Sequence, residues 1–303
     1  MKRILFTLVL GFTLTFFAAA QIGYTVIPDN PRPGEPVTIG ASAEEKEARL
    51  FVDGRQLART KFFSVPADGG NRGFYAAVLT IPSTARPGSA IISLYNQWDI
   101  AYEIPITITP RNFVSEVIEL NPANTGIRTD PNPQRNAEAE RLWAILSTTG
   151  SQIYHSGAFV LPVTSTRRTS FFGDRRVFQY SNGGSDTSIH AGVDFGVPTG
   201  TRVIACGAGR VILAAMRVVT GNSVIIEHAP GIYSLYYHLD SISVQEGAIV
   251  QAGELVGLSG STGLSTGPHL HWEVRVSTEN TDPDAFAARP ILDKALIISK
   301  IYN

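Results

Sequence analysis

Short apolar segments separated by turn residues dominate the first third of the chain. Six of them, rich in β-branched and aromatic residues, lie between about residues 24 and 110: YTVIP, EPVTIGAS, ARLFVDG, FYAAVLTIP, AIISLYN and YEIPITITP. Strands at this spacing, with turns such as DNPRPGE between them, are typical of a β-sandwich. We therefore predict an immunoglobulin-like β-sandwich over residues 22–110. The block contains no histidine, so a spacer or docking module is its simplest interpretation.

The pattern changes between residues 111 and 150. A polar connector extends to about Pro131, and apolar residues at helical spacing follow it. We predict one helix here, capped by Asn132 and ending near Gly150. This segment is expected to link two domains.

Strand-like segments return over residues 151–303. RVIACGAGRVILAAM, NSVIIEHAP and YSLYYHL carry β-branched residues punctuated by glycine, and no helical crossovers intervene. Antiparallel β-structure is therefore expected, with VQEGAIVQAGELVG forming a hairpin that turns near Gly247 and Gly253. The predicted fold class is mainly β, with a sandwich, a helical linker and a second β domain.

Length, charge and cysteine content narrow the function classes. A chain of 303 residues suggests about two domains. The net charge of −1 provides no strong positive field, which argues against a general nucleic-acid-binding protein. Cys206 is the only cysteine, so no internal disulfide can form. Its apolar setting predicts a buried side chain rather than a nucleophile.

The first residues resemble a secretory signal. Two basic residues precede an apolar run, Ile4–Phe17, and the small residues Ala18 and Ala20 suit cleavage after Ala20. The run is shorter than the roughly 20 residues of a membrane-spanning helix. We predict a signal peptide over residues 1–20 and export to the periplasm or cell envelope. An uncleaved membrane anchor is the alternative.

Two histidines lie one residue apart in the stretch STGPHLHWEV. Side chains alternate across a strand, so His269 and His271 share one face, while Leu270 and Trp272 point to the other. Two solvated histidines need no such placement. A shared metal or a shared substrate would explain it.

A second pair, His190 and Asp194, lies in the segment HAGVDF. Residues four apart share a face in a helix and in a strand, and the surrounding glycines and Pro198 favour an extended segment. An imidazole and a carboxylate are both zinc ligands, although an ordinary histidine–aspartate hydrogen bond would look the same. Together with one histidine of the later pair they would make three ligands. A three-ligand site leaves a position for water, whose pKa zinc lowers to about 7.

A third segment, YSLYYHLD, carries Tyr236 and His238. By strand alternation these two side chains should share a face. Facing the metal, His238 could hold a reacting carbonyl or its oxyanion. A strand-end histidine bonded to a backbone carbonyl is the alternative.

Three of these segments, HAGVDF, LYYHLD and GLSTGPHLHWEV, occur in that order and resemble the lysostaphin-like (LytM-type) zinc metallopeptidases. The similarity extends over roughly the last half of the chain. It implies one Zn²⁺ per chain, held by His190, Asp194 and His271. It also implies two catalytic histidines, His238 and His269.

The resemblance also implies a reaction. The chain has no H-E-x-x-H, so a histidine would act as base in place of a glutamate. We expect His269 to be the base and later the proton donor, and His238 to stabilise the tetrahedral intermediate together with Tyr236.

The sequence thus predicts an exported zinc metalloendopeptidase that hydrolyses peptidoglycan stems or cross-links. The β-sandwich could dock envelope protein partners. The main alternative is a non-catalytic wall-binding protein, or an activator of a cell-wall amidase, using the same groove. A lipoyl-type carrier is disfavoured because the predicted hairpin turn carries no lysine, and an adhesin-like spacer would account only for the first domain.

Overall fold

The computed structural model describes residues 22–70 and 72–302. The predicted signal peptide, residues 1–20, lies outside the described residues. Among the described residues, no helix has both the length and the apolar character that crossing a membrane requires.

Eight strands form the N-terminal part as two four-stranded antiparallel sheets packed face to face. They are β1 (Tyr24–Ile27), β2 (Pro36–Ala41), β3 (Glu47–Val52), β4 (Arg55–Lys61), β5 (Phe63–Val65), β6 (Phe74–Thr80), β7 (Gly88–Tyr95) and β8 (Ala101–Ile108). The strand orders are β1-β2-β6-β5 and β4-β3-β7-β8, which match the ABED and CFG arrangement of immunoglobulin-like sandwiches with one added edge strand. Ile39, Leu50 and Ile92, all fully buried, belong to the core between the sheets. The predicted β-sandwich is confirmed.

The segment after the sandwich contains more structure than the predicted polar connector with one helix. It forms β9 (Ser115–Glu119), α1 (Pro122–Thr129) and α2 (Pro133–Ser147). The prediction failed because α1 has only eight residues and β9 pairs with a strand far along the chain, so neither leaves a local periodic signal. Asn132 caps α2 as expected, and its side chain accepts a hydrogen bond from the backbone N–H of Arg135.

The C-terminal part is built from twelve strands and two short helices. They are β10 (Arg168–Ser170), β11 (Arg175–Gln179), β12 (Ser185–Ile189), β13 (Gly192–Phe195), β14 (Arg202–Ile204), β15 (Gly209–Arg217), β16 (Gly221–Ala229), β17 (Ile232–Ile242), β18 (Ile249–Val250), β19 (Leu255–Ser259), β20 (Leu270–Val276), β21 (Glu279–Thr281), α3 (Pro283–Ala288) and α4 (Lys294–Ile301).

A large antiparallel sheet organises these strands, with the central order β10-β13-β20-β17-β16-β15-β18. The mainly β class and the antiparallel pairing agree with the prediction. The predicted hairpin is wrong: β18 pairs with β15, whereas β19 pairs with β14 and β17. Gly247 and Gly253 do form turns, with φ of 88° and 86°. A separate sheet has the order β12-β11-β9, in which β9 runs parallel to β11.

The centre of the large sheet determines where the functional side chains lie. Strand β20 lies between β13 and β17, and Leu270, Trp272 and Val274 point from it into a core from which solvent is excluded. The same core includes residues of β6, so the sandwich packs against the C-terminal sheet. The intervening residues of β20, including His271, face the other side.

Candidate metal centre

Two adjacent strands bring His190, Asp194 and His271 together. In the antiparallel pairing of β13 with β20, Asp194 lies opposite His271, and His190 lies two residues before β13. Asp194 Oδ1 is 3.2 Å from His190 Nε2 and 2.7 Å from His271 Nδ1, and the two nitrogens are 3.0 Å apart. All three side chains are buried. In the described part of the chain, this is the one group of three His, Cys, Asp or Glu side chains that could hold a metal ion.

Hydrogen bonds on the far sides of the rings orient both imidazoles. His190 Nδ1 donates to the carbonyl oxygen of Phe171 at 2.8 Å, and His271 Nε2 donates to Glu273 Oε1 at 3.0 Å. A neutral imidazole has one N–H, so His190 Nε2 and His271 Nδ1 each present a lone pair to Asp194. When both imidazoles are neutral, three acceptor atoms converge without a donor, an arrangement that needs a positive charge at its centre.

The pKa values of His271 and Asp194 also indicate that the cluster attracts a positive charge. Burial lowers the pKa of His271, but Asp194 and Glu273 outweigh that effect and raise it to about 9. Burial likewise acts to raise the pKa of Asp194, yet the two imidazoles hold it well below its usual range. The pocket thus attracts either a proton on His271 or a bound cation. A tetrahedral zinc ion with bonds of about 2.0–2.2 Å separates its ligands by roughly 3.4 Å. The separations found here, 2.7–3.2 Å, are shorter, so a small outward movement of the side chains would admit such an ion, and the donor types fit it.

Two further histidines lie beside this cluster. The rings of His238 and His269 are 4.8 Å apart, and His269 Nε2 is 3.8 Å from Asp194 Oδ1. His238 Nδ1 donates to the carbonyl oxygen of Thr262 at 2.7 Å, and His269 Nδ1 donates to that of Gly267 at 2.8 Å. Each ring therefore keeps an unprotonated Nε2. Burial lowers the pKa of both residues, that of His238 to about 3.

Tyr236 is the predicted site residue that the structure places elsewhere. Val224 of β16 pairs with Tyr236, but Asn222 pairs with Leu239, so β17 carries one extra residue in a bulge. His238 has a φ of +60° in this bulge. The bulge breaks the alternation, and the expectation that Tyr236 and His238 share a face is wrong. The hydroxyl of Tyr236 instead accepts a hydrogen bond from the backbone N–H of Cys206 at 2.8 Å, inside the core.

Three further residues contact the site and were not predicted from the sequence. Arg176 Nη2 lies 2.8 Å from Asp194 Oδ2, and Tyr237 stacks on His271. Neither contact has a local sequence signal, because each joins strands whose pairing is not visible in the sequence. Glu273 could have been found, since it follows His271 by two residues and so shares its face.

Helix α1 contacts two segments that precede site residues in the chain, the loop before His269 and the strand before His190. Asn124 Nδ2 donates to the carbonyl oxygen of Ser265 at 3.0 Å, in the Gly-rich loop before β20, residues 260–268. Arg128 forms an ion pair with Asp186 of β12, with 2.9 Å between Nη2 and Oδ2. The helix therefore ties the Gly-rich loop to the β11–β12 hairpin.

Comparison with known proteins identifies this region. The peptidase family M23 matches residues 188–283, which include both metal-site strands and all four clustered histidines. Residues 188–283 are a peptidase family M23 domain. The match confirms the resemblance predicted from the three histidine motifs. The M23 domain accounts for the centre of the large sheet, whereas the sandwich and the segment holding β9 lie outside it.

Curated relatives of the M23 domain are larger proteins. The DD-carboxypeptidase/endopeptidase Mpg of Neisseria meningitidis serogroup B is 37% identical over 139 residues, which are 46% of this chain and 31% of the relative. The peptidoglycan DD-endopeptidase ShyA of Vibrio cholerae is 44% identical over 116 residues, which are 38% of this chain and 26% of the relative. The chain thus spans less than a third of the length of either relative.

A solved structure shares the fold over most of the chain. It is a crystal structure of a Pseudomonas aeruginosa protein assigned to peptidase M23, with a TM-score of 0.58 and 24% identity. The match covers 85% of this chain and 94% of the other. At this identity the likeness concerns the fold alone, and it extends beyond the M23 domain.

Proposed function

We propose that this protein is an exported zinc metalloendopeptidase that cleaves peptide bonds in peptidoglycan stems or cross-links. The observation that carries the proposal is the convergence of three potential ligand atoms beside two further histidines, within an M23 domain. The names of the relatives, which include peptidoglycan DD-endopeptidases, support the substrate class. The signal-like first 20 residues support export.

Three atoms would hold the ion: His190 Nε2, Asp194 Oδ1 and His271 Nδ1. A zinc ion bound there would polarise the scissile carbonyl and lower the pKa of the attacking water. Phe171 and Glu273 keep the two imidazoles in the tautomers that this binding requires. The electron-rich ligand set is therefore built before any substrate arrives.

His269 is suited to move the proton. Because its Nδ1 donates to the Gly267 carbonyl, its Nε2 is free to accept a proton from the attacking water and return it to the leaving amine. His238 likewise presents Nε2 as an acceptor. Stabilising a developing oxyanion would require a proton on Nε2, and burial, which lowers the pKa of His238 to about 3, opposes that protonation. Its Nε2 is therefore suited to accept a proton, as that of His269 is.

The loop before β20 is suited to an extended peptide with small side chains. Residues 260–268 read GSTGLSTGP, and small residues let a peptide backbone approach closely. This loop precedes His269 directly, so a peptide lying along it would present its carbonyl groups near the histidine cluster.

Digestion of purified sacculi tests the proposal. The mature protein should carry about one zinc per chain and release soluble peptides whose masses identify the cleaved bond, and a chelator should abolish the release. His269→Ala is the matched variant, because it should keep the zinc and lose the activity. If the zinc-loaded protein leaves cross-linked muropeptides intact, yet binds sacculi or activates an amidase equally well after Asp194→Ala, the non-catalytic alternative is correct.

A further inference from the structure

The two carboxylate oxygens of Asp194 have different partners. Oδ1 faces His190 and His271, whereas Oδ2 accepts a hydrogen bond from Arg176 at 2.8 Å. The Asp194 side chain is 9% exposed and the Arg176 side chain 15%. A carboxylate bonded in this way cannot rotate without losing the ion pair, so Oδ1 stays turned towards the two imidazoles.

Arg176 is itself held by a residue from the connecting segment. Its Nε donates to Glu116 Oε1 at 2.6 Å, and its Nη2 donates to Ser170 Oγ at 2.7 Å. Glu116 lies on β9, and the parallel pairing of β9 with β11 places it beside Arg176 in register. Both Glu116 and Arg176 lie outside the residues that the M23 family matches.

The charges in this chain of contacts alternate. A lone guanidinium would draw electron density from the carboxylate and weaken Asp194 as a ligand. Glu116 supplies a second negative charge to Arg176, so Asp194 shares the guanidinium with a competing acceptor. Charge-assisted contacts between partly buried groups are among the stronger polar interactions, and groups that orient metal ligands commonly affect metal affinity.

We propose that Glu116 and Arg176 are positioning residues for the metal site: Glu116 holds Arg176, and Arg176 presents Asp194 as a one-oxygen ligand. Strand β9 is then part of the functional unit rather than of a linker. The inference rests on the metal binding in the proposed function, but not on the peptidase activity or on peptidoglycan as substrate.

Zinc affinity of the full chain is the direct test. Competition against a chromogenic chelator should show that Glu116→Gln and Arg176→Ala each weaken zinc binding by about 10- to 100-fold. Glu119→Gln is the matched control, because Glu119 is an exposed glutamate on the same strand, and its affinity should equal that of the wild type. The absorption spectrum of the Co²⁺-loaded protein should change in the first two variants and not in the control.

A double-mutant comparison separates positioning from general destabilisation. Because Glu116 acts through Arg176, adding Glu116→Gln to Arg176→Ala should cause little further loss of zinc affinity. Arg176→Lys should recover part of the affinity, since a lysine can neutralise Asp194 but cannot bridge both acids in the same way.

Two results would overturn the inference. One is wild-type zinc affinity and an unchanged Co²⁺ spectrum in Arg176→Ala; the other is fully additive losses in the double variant. Failure of the proposed function would look different. A wild-type chain that binds zinc tightly but cleaves no muropeptide would refute the peptidase and leave the positioning role intact.

Discussion

The ring of Tyr237 lies parallel to the imidazole of His271, with their centroids 5.6 Å apart and 4° between the ring planes. The preceding residue, Tyr236, points into the core instead. Its hydroxyl joins Cys206 N–H to Ser234 Oγ, and Ser234 Oγ also lies 2.7 Å from His228 Nε2. Two adjacent tyrosines therefore serve different parts of the protein, one beside the metal cluster and one in a buried hydrogen-bonded chain.

Tyr236→Phe should lower stability and leave catalysis unchanged. The substitution removes the acceptor for a buried backbone N–H, which costs about 1–3 kcal/mol, but it touches no group of the metal cluster. Urea unfolding and the muropeptide cleavage rate measure the two effects. Tyr233→Phe is a useful comparison, because the Tyr233 hydroxyl donates to the Thr148 carbonyl oxygen in a partly buried contact away from that core. A tenfold loss of turnover in Tyr236→Phe with full zinc content would contradict the expectation.

Substitution of a metal ligand should lower the zinc content of the protein, whereas substitution of a proton-transfer residue should not. His271→Ala removes one of three ligand atoms, so it should lose both zinc and activity. His238→Ala should retain zinc, because His238 lies beside the cluster and not within it, and should lose at least about 100-fold in rate, as is typical when a proton-transfer residue is removed. Metal analysis of both variants next to activity checks this. Zinc loss in His238→Ala equal to that in His271→Ala would place His238 among the ligands.

Acid should destabilise the fold through His228. Burial lowers the pKa of this residue to about 3, whereas an unfolded histidine titrates near 6.5. Below about pH 6.5, His228 therefore binds a proton in the unfolded chain but stays neutral in the folded chain. The stability contribution is complete above that pH and is lost as the pH falls towards 3, by about 1.4 kcal/mol for each unit of pKa difference.

The check is urea unfolding of the metal-free protein between pH 8 and pH 4. His228→Gln should show a shallower decline than the wild type, because its amide can still bond Ser234 but does not titrate. Other groups contribute equally to both curves, so only the difference is informative. Parallel curves for the two proteins would remove His228 as the cause.

Gly192→Ala should damage the metal site through the backbone. Strands β13 and β20 approach so closely that a Cβ at Gly192 would lie 2.2 Å from the carbonyl oxygen of Trp272. The strands must move apart, and Asp194 with them, so both stability and zinc affinity should fall, stability by about 1–3 kcal/mol. Gly267→Ala is the stability control, since its Cβ would meet no atom within 4 Å. Unchanged zinc binding in Gly192→Ala would show that the pairing tolerates the shift.

Features that depend only on the spacing of nearby residues, such as which side chains share a strand face, could be predicted from the sequence. His269 and His271 were placed on one face because alternation is a property of any regular strand, and the buried Leu270 and Trp272 agree with it. The prediction for Tyr236 failed where the strand is irregular, since nothing in YSLYYHLD marks the extra residue of the bulge. Arg176 and Glu116 were missed because their roles depend on the pairing of β9 with β11, between residues 60 positions apart.

Strand β9 and helix α2 both contact strands of the C-terminal part, and this limits where the chain can be truncated without loss of structure. A recombinant piece starting at residue 151, the predicted domain boundary, would lack Glu116 and leave one side of β11 without its hydrogen-bonding neighbour. It would also uncover apolar side chains such as Leu213 and Leu235, against which Leu146 of α2 packs. Exposed strand edges and apolar patches favour aggregation. The shortest active piece should therefore begin before Ser115, well ahead of the first residue that the family match includes.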